Sequence, residues 1–246
     1  MSHLVVVTGG SAGIGRAVLH AAPADAHRVD VSRRGADGPV DEHIAADLAD
    51  PQGWRTVGSA LRRLVGSRSW ERVSFVHSAG TLTPIGFAGE VDDEAYIRNV
   101  LVNSAATQVV GHLALAAIAD LDIPREVLML SSGAARRSRP GWSSYGAAKA
   151  GLESWVRTVG DEQRQRGGVR VIAVAPGVVA TAMQREIRDT DPASFPGVER
   201  FRRLHEAGEL ADVADVAARL WEVLDDRERF TGGDVLDLRE VTGGRR

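Results

Sequence analysis

Residues 8–15 read TGGSAGIG, a glycine-rich turn that directly follows the apolar residues 4–8. Its glycines, Gly9, Gly13 and Gly15, stand where a buried strand would pass into a helix. Glycine there lets the backbone approach a bound pyrophosphate closely, and the amino terminus of the helix would meet the negative charge. The alternative is a tight strand-to-helix turn without a ligand. Under either interpretation this stretch predicts the first β-α unit of the fold.

The rest of the chain continues to alternate short apolar runs with longer helical patterns. Strands are predicted at residues 4–8, 28–31, 43–46, 72–77, 126–131, 170–175 and 234–238. Helices are predicted at residues 13–22, 51–65, 92–121, 143–166 and 212–224. Short strands without polar alternation are typical of parallel sheets buried on both faces, with helices as the crossovers. The prediction is an α/β fold: a single Rossmann-type doubly wound domain over residues 1–246, with about seven parallel strands flanked by helices.

One segment interrupts this alternation. Residues 177–208 are rich in Pro, Asp, Arg and Phe and lie between the sixth predicted strand and the helix predicted at 212. Insertions beyond the carboxyl ends of strands in such sheets cover ligands. We therefore expect this segment to form a substrate lid.

Composition excludes several classes of partner. The formal net charge of −3 and the scattered arginines predict neither a nucleic-acid nor an anionic-membrane surface. The chain has no cysteine and therefore no disulfide. Its amino terminus, MSHLVVVTGG, lacks the basic and long apolar regions of a signal peptide, and no apolar run approaches the ~20 residues of a membrane span. We expect a cytoplasmic protein that binds neither membrane nor nucleic acid.

The stretch SSYGAAKAGL, residues 143–152, contains the only lysine among 30 Lys and Arg residues. Tyr145 and Lys149 are four residues apart, so both project from one face of the predicted helix. Arginine is never deprotonated and has a wide planar fork, whereas lysine is a compact point charge, which suggests a chemical role for Lys149. A nearby ammonium would lower the pKa of a tyrosine from its ordinary value of about 10 and favour acid–base chemistry at neutral pH.

Six motifs together resemble the short-chain dehydrogenase/reductase family. They are TGGSAGIG, HSAG at 77–80, Asn103, Ser132, the pair Tyr145 and Lys149, and PGVVAT at 176–181, in order over essentially the whole chain. The resemblance implies a catalytic set of Asn103, Ser132, Tyr145 and Lys149. In that set Ser132 would bind the substrate carbonyl, Lys149 the nicotinamide ribose, and Asn103 a water that relays protons to Lys149.

Three positions leave alternatives open. Ser131 also ends the predicted strand VLMLSS, but the family's spacing to Tyr145 selects Ser132. Asn103 taken alone is as well explained as an ordinary polar interruption of an apolar helix. His77 and Ser78 replace the family's usual Asn-Asn; because no other His or carboxylate lies at ligand spacing, we expect His77 to be structural and predict no metal site.

The resemblance also implies a nicotinamide cofactor. Asp30 lies inside the second predicted strand, and Ser32, Arg33 and Arg34 follow at its end, which predicts NADP(H) rather than NAD. Asp47 matches the family's adenine-contact position, or it caps the helix at Pro51. The predicted cofactor-binding residues are Gly9, Ser11, Gly13, Ile14, Gly15, Ser32, Arg33, Arg34, Asp47, Leu48, Ser78, Ala79, Gly80, Tyr145, Lys149, Pro176, Gly177, Val179 and Thr181.

Two further groups of residues fall near the predicted substrate site. One is apolar, and either lines a carbonyl pocket or only packs the lid: Leu82, Trp142, Met183, Ile187, Phe195 and Phe201. The other is the cluster Arg136, Arg137 and Arg139, which could meet an anionic substrate, although a solvated loop is the simpler interpretation.

Within the family, GTLTPIG, GWSSYGAAKAG and PGVVATAMQREIR resemble the branch of sepiapterin reductase and the bacterial benzil reductases. That resemblance implies an NADPH-dependent carbonyl reductase acting on a small-molecule ketone or vicinal dicarbonyl, and a homodimer or homotetramer. The alternatives are a 3-oxoacyl or other alcohol/ketone oxidoreductase of the same family, and a non-catalytic NADP(H)-sensing protein. The intact set of Ser132, Tyr145 and Lys149 speaks against the last.

Overall fold

The computed structural model describes residues 2–241. Its strands are β1 (His3–Thr8), β2 (Ala26–Ser32), β3 (Glu42–Ala45), β4 (Arg72–His77), β5 (Arg125–Leu130), β6 (Arg170–Ala175) and β7 (Val235–Asp237). Its α-helices are α1 (Gly13–His20), α2 (Pro51–Gly66), α3 (Asp93–Val100), α4 (Ala106–Ile118), α5 (Ser143–Gln165), α6 (Ala182–Arg188), α7 (Val198–Glu206) and α8 (Val213–Asp225). A π-helical turn, Leu101–Ala105, joins α3 to α4, and a 3₁₀ turn, Gly133–Ala135, precedes α5.

The strands form one parallel sheet in the order β3-β2-β1-β4-β5-β6-β7. The predicted doubly wound α/β fold is confirmed. The chain first winds outward from β1 to β3 and then returns to the other side of β1, so the winding reverses between β1 and β4. Ligands bind at this switch point, outside the carboxyl ends of the strands.

Burial on both faces explains the sequences of the strands. All six residues of β1, HLVVVT, are buried. Leu4 and Val6 pack into the core on the side of α2, α4 and α5. Val5 and Val7 pack into the opposite core, with α1 and α8. Because alternate side chains enter two apolar layers, the strand needs no polar alternation, and each such side chain stabilises the fold by ~1.5–3 kcal/mol.

The helix starts follow from capping. Asp50, rather than Asp47, caps α2: its Oδ1 accepts a hydrogen bond from Gln52 N at 2.8 Å, with Pro51 in the first helical position. The proposed capping role of Asp47 is therefore wrong. Asp92 and Asp212 cap α3 and α8 in the same way.

The helix predicted at residues 92–121 is two α-helices joined by the π turn, and it ends at Ile118. Taken as one helix, Asp93–Ile118 has 26 residues, and its most apolar 18-residue window has a mean hydropathy of 1.4, so by length and composition it could cross a membrane. The expectation that no run approaches that length is wrong. Its most apolar window is 44% buried, and α4 packs against α2, β4 and β5 as a layer of the fold. The limits of the other predicted helices and strands differ from the observed ones by up to two residues at each end.

The segment 177–208 contains α6 and α7, which pack against each other. Its apolar side chains join residues from the loops after β4 and β5 in a third buried cluster, separate from the two sheet cores. The cluster comprises Leu82, Ala134, Trp142, Tyr145, Ile187, Phe195, Val198 and Phe201. The predicted site tyrosine is thus packed directly against this segment.

Candidate active site

A cavity of about 750 Å³ opens at the carboxyl ends of the strands. Its size lies within the roughly 300–1,000 Å³ that is usual for small-molecule sites. It brings together the turns that follow β1, β2, β3, β4, β5 and β6. Of the predicted catalytic and cofactor-binding residues, all except Gly15 and Asn103 line it. The predictions from separate motifs therefore converge on one cavity.

In the glycine-rich turn, other backbone segments come very close to Gly9 and Gly15. Gly9 has φ +73°, and a Cβ there would lie 2.8 Å from Ala79 Cα. A Cβ on Gly15 would lie 2.4 Å from Gly9 O. No side chain fits at either position, so the turn after β1 packs against the turn after β4, and α1 starts directly beside both.

The amino terminus of α1 has free donors. Its cap residue, Ala12, has no side-chain acceptor for the first backbone N–H groups. Ser11, Gly13 and Ile14 line the cavity at this point. Unsatisfied N–H groups and the helix dipole favour an anion. The turn and this helix end therefore fit the pyrophosphate of a dinucleotide.

At the end of the cavity nearest β2, the side chain of Asp30 is buried. Asp30 is fully buried, and its Oδ2 accepts a hydrogen bond from Ser32 Oγ at 2.7 Å. Arg33 and Arg34 are exposed and line the cavity. Cations rather than a carboxylate thus face the end of the cavity nearest β2.

Asp47 and Leu48, after β3, also line this end. Arg98 Nη2 contacts both carboxylate oxygens of Asp47, at 3.0 and 2.8 Å. Burial opposes ionisation of Asp47, but the hydrogen bonds from Arg98 and Ala49 outweigh it and hold its pKa below the ordinary value. Arg98, from α3, was missed by sequence reasoning because nothing in the sequence pairs it with Asp47.

Tyr145 lies in the first turn of α5, with 7% of its surface exposed. Burial raises the pKa of its phenol, and a hydrogen bond with the Ser132 side chain offsets only part of that rise. The prediction that Lys149 lowers the pKa of Tyr145 is therefore wrong. The phenol of the chain itself is therefore protonated at neutral pH.

Lys149 explains this difference. Its Nζ donates to Leu130 O at 2.7 Å and lies 5.7 Å from the centre of the Tyr145 ring. The two side chains share a helix face as predicted, but the ammonium is bonded to the end of β5. Burial lowers the pKa of Lys149 to about 8. A lysine poised near working pH is consistent with chemistry rather than with surface charge.

The two candidate serines have different environments. Ser131 Oγ donates to Glu153 Oε1 at 2.8 Å and is buried. Ser132 begins the 3₁₀ turn, where its Oγ accepts from Ala134 N at 3.2 Å, and its hydroxyl reaches Tyr145. The structure thus brings Ser132 to Tyr145, whereas Ser131 is hydrogen-bonded to the carboxylate of Glu153.

Asn103 lies in the π turn and is buried. Its Nδ2 donates to Thr81 O at 2.7 Å, and its Oδ1 accepts from Thr81 N at 3.0 Å, so the side chain clamps the loop after β4. A Cβ on Gly80 would lie 3.1 Å from Asn103 Oδ1 and 4.0 Å from Lys149 Nζ. Although Asn103 does not line the cavity, it lies close behind Gly80 and Lys149.

His77 is held between two threonines. Its Nδ1 lies 2.9 Å from Thr8 Oγ1, and its Nε2 lies 3.1 Å from Thr107 Oγ1. Thr107 Oγ1 donates to Asn103 O at 2.8 Å, so it must accept from His77 Nε2–H, and His77 Nδ1 must accept from Thr8. Burial, and next the charge of Lys149, lower the pKa of His77 to about 3. His77 is thus a neutral residue that links β1, β4 and α4.

The far end of the cavity is aromatic and cationic. The Trp142 ring stacks on Phe195 at 4.8 Å and lies edge-on to Tyr145 at 5.8 Å. The arginines lining this end come from three places in the sequence: Arg137, Arg139, Arg200 and Arg239. Sequence reasoning missed Arg200 and Arg239. Arg136 does not line the cavity and instead pairs with Glu153 at 3.3 Å.

Within residues 2–241, no cluster of three or more His, Asp or Glu side chains could hold a metal ion. Both ring nitrogens of His77 have threonine partners.

Comparison with known proteins agrees with this geometry. Residues 3–192 match the family described as short chain dehydrogenase. The chain is 31% identical over 241 residues to benzil reductase ((S)-benzoin forming) of Bacillus subtilis, covering 96% of this chain and 98% of that one. It is 29% identical over 203 residues to sepiapterin reductase of Rattus norvegicus, covering 80% of this chain and 74% of that one.

A solved short-chain dehydrogenase/reductase of Saccharomyces cerevisiae superposes with a TM-score of 0.81 at 25% identity, covering 97% of both chains. Sequence and fold thus agree over nearly the whole length. The chain belongs to the short-chain dehydrogenase/reductase family of nicotinamide-dependent oxidoreductases.

Proposed function

We propose that this protein is an NADPH-dependent carbonyl reductase that acts on a small-molecule ketone or vicinal dicarbonyl, with Tyr145 as the general acid. One observation carries the proposal: Ser132, Tyr145 and Lys149 converge in a cavity whose other end carries Arg33 and Arg34. The relatives named benzil reductase and sepiapterin reductase support a carbonyl substrate.

The reduced nicotinamide, when bound, supplies the hydride. The protein's part is to hold the carbonyl and deliver a proton. The Ser132 hydroxyl orients the carbonyl oxygen, and the Tyr145 phenol donates its proton to that oxygen. The raised pKa of Tyr145 suits this direction, because the phenol stays protonated until it is used.

Lys149 acts behind the tyrosine. Its pKa of about 8 lets it return a proton to Tyr145 near neutral pH, after the phenol has donated its own. Asn103 lies beside it and holds the water that resupplies the proton. Positioning and charge, rather than a covalent intermediate on the chain, are the protein's contribution.

The charge at the β2 end favours NADP(H) over NAD. An acidic side chain would have to accept from the ribose 2′-hydroxyl in an NAD-binding site. Here Asp30 is buried and bonded to Ser32, whereas Arg33 and Arg34 are exposed and suit a 2′-phosphate.

The remaining expectations form part of the same proposal. The protein is a single cytoplasmic domain whose residues 177–208 form the substrate lid, and it binds neither nucleic acid nor membrane. It assembles as a homodimer or homotetramer. Exposed apolar side chains on and before α3, Phe87, Ile97 and Val100, support self-association. A monomeric mass in sedimentation at micromolar concentration would reject it.

The test is the loss of reduced-nicotinamide absorbance with NADPH and, separately, NADH, against benzil, an aliphatic 1,2-dione and sepiapterin. We expect faster turnover with NADPH for at least one of them. Arg33→Ser should lower the NADPH-to-NADH ratio of kcat/KM by roughly tenfold or more, since a charge-assisted bond is lost. Arg62→Ser, an exposed arginine on α2, is the control.

Tight NADPH binding without turnover of any carbonyl would contradict the reductase proposal and favour the nucleotide sensor. Turnover restricted to 3-oxoacyl substrates would instead favour the other oxidoreductases of the family.

A further inference from the structure

We propose that Arg137, Arg139 and Arg200 form an anion-binding subsite, and that the substrate is an aromatic carbonyl compound that also carries a carboxylate. This inference rests on the proposed carbonyl reductase activity and names the substrate class for it. All three arginines line the cavity that contains Tyr145, and none has an acidic partner among residues 2–241.

The first observation is that these three arginines have no acidic partner among residues 2–241. Ten other arginines there form ion pairs with carboxylates at up to 3.7 Å. Arg136 and Arg239, next to the subsite, pair with Glu153 and Asp237 respectively. Arg137, Arg139 and Arg200 thus differ from their own neighbours in carrying uncompensated charge.

The second observation is that the cavity contains little acid to balance them. Among its lining residues, the acidic ones are Asp47 and Glu186. Asp47 is paired with Arg98 at the opposite end, and Glu186 accepts a hydrogen bond from Thr83. After burial, repulsion from Arg200, Arg137 and Arg239 lowers the pKa of Arg139, so these cations act on one another. A bound anion would relieve that repulsion.

The third observation is the distance between Arg139 and Tyr145. The Arg139 guanidinium carbon lies 5.8 Å from the centre of the Trp142 ring and 5.5 Å from that of Phe201. Trp142 in turn lies 5.8 Å from Tyr145, ring centre to ring centre. The Arg139 guanidinium is therefore no farther from the centre of the Tyr145 ring than these two 5.8 Å distances together.

This spacing selects the substrate class. The Arg139 guanidinium and the Tyr145 ring each lie 5.8 Å from the Trp142 ring, so an aromatic ring that carries both a carbonyl and a carboxylate can reach the two groups. Trp142 and Phe201, which line the cavity, give that ring an apolar surface. The planar fork of arginine matches a carboxylate through two parallel hydrogen bonds. An aryl ketone with a carboxylate on the far side of the ring satisfies all three groups.

The experiment compares benzil with 4-carboxybenzil, which adds one carboxylate to the same dicarbonyl. We expect a higher kcat/KM for the carboxylate, and a ratio that falls as sodium chloride is raised, because exposed charges are screened. Arg139→Gln and Arg200→Gln should each lower the ratio roughly tenfold. Arg62→Gln on α2 should leave it unchanged. Equal ratios in wild type and both variants would overturn the inference.

A binding measurement separates this inference from the proposed function. Calorimetry of the protein saturated with NADP⁺ should give tighter binding of 4-carboxybenzil than of its methyl ester, without any turnover. Preference for the carboxylate would sustain the subsite even if no carbonyl is reduced. Equal binding of acid and ester would reject it, whereas reduction of benzil alone would leave the reductase proposal intact.

Discussion

Arginines lie at the edge of the sheet where the amino ends of the strands meet and at the edge where the carboxyl ends meet, but their charges are paired differently at these two edges. At the amino edge, Glu126 of β5 is fully buried and faces Arg72 at 2.7 Å, Arg227 at 3.3 Å and Arg170 at 3.7 Å. At the carboxyl edge, Arg137, Arg139 and Arg200 line a cavity without a carboxylate partner among residues 2–241. The same residue type is neutralised at one edge and left charged at the other.

The difference shows which arginines hold the fold together. Arg170 is 7% exposed and also donates to the carbonyls of Val223 and Phe230, at 3.3 and 3.1 Å, so it joins β6 to the end of α8 and the loop beyond it. Its removal from water is compensated by the carboxylate of Glu126, 3.7 Å away. Uncompensated cations at the cavity cost stability, and a ligand can recover that cost. Charge pairing thus separates structural arginines from ligand-binding ones.

The sharpest test at the carboxyl edge removes one hydroxyl. Tyr145→Phe should lower kcat for benzil by roughly 10²–10⁴-fold, because the general acid is lost while the ring still packs against Trp142. The melting temperature should stay within a few degrees of wild type. Steady-state assays and thermal unfolding measure both quantities. Near-normal kcat would exclude Tyr145 as the proton donor.

The matching test at the amino edge is Glu126→Gln. We expect the free energy of unfolding to fall by about 3–5 kcal/mol, because Arg170 and Arg72 then lose their buried counter-charge. Urea unfolding measures the loss, and kcat below the new melting temperature should be normal. Glu162→Gln, on the exposed face of α5, is the control. An unchanged stability would mean that this edge does not depend on charge pairing.

The pH dependence tests Lys149. Its pKa is lowered to about 8, so the ammonium is present below that pH and lost above it. We expect kcat/KM for carbonyl reduction to fall by up to tenfold per pH unit above about pH 8, since the neutral amine has no proton to return to Tyr145. Lys149→Arg should retain the charge but lose most of the activity. A rate that is flat to pH 10 in the wild type would contradict the assignment.

The smallest expected effect concerns His77, the last residue of β4. Its folded-state pKa is about 3, below the ordinary 6.5, so the unfolded chain binds this proton more readily. The stability it contributes is therefore present above pH 6.5 and is lost as the pH falls towards 3. We expect ~1 kcal/mol less stability at pH 5 than at pH 6 from this group.

His77→Gln should reduce that acid dependence in urea unfolding, whereas the exposed His205→Gln should not. His3, whose pKa burial lowers to about 4, titrates in all three proteins and sets the background. An identical pH slope in wild type and His77→Gln would show that His77 is protonated in the folded state.

The sequence predicted the sheet because its strands are local features. Each strand is a short apolar run, and in a parallel sheet the residues after each strand must meet at one edge. Gly9, Ser78, Ser132 and Pro176 therefore line one cavity although they lie far apart in the chain. The four-residue spacing of Tyr145 and Lys149 was likewise enough to put both on one helix face.

What the sequence did not predict depends on side-chain contacts over long separations. The π turn accompanies the clamp between Asn103 and Thr81, which are 22 residues apart. The direction of the Tyr145 pKa shift is set by burial of the phenol, while Lys149 bonds to Leu130. Arg136 and Arg137 are adjacent and chemically identical, yet only Arg136 reaches Glu153. No local pattern distinguishes them.

The single lysine has a practical consequence for spectroscopy and labelling. Growth on isotopically enriched lysine would give one side-chain amine signal for the whole molecule, and it would come from Lys149. Its chemical shift would follow protonation and cofactor binding directly, without any substitution. Amine-directed reagents have, besides the chain terminus, only this side chain to modify, so cofactor protection against labelling would report occupancy of the cavity itself.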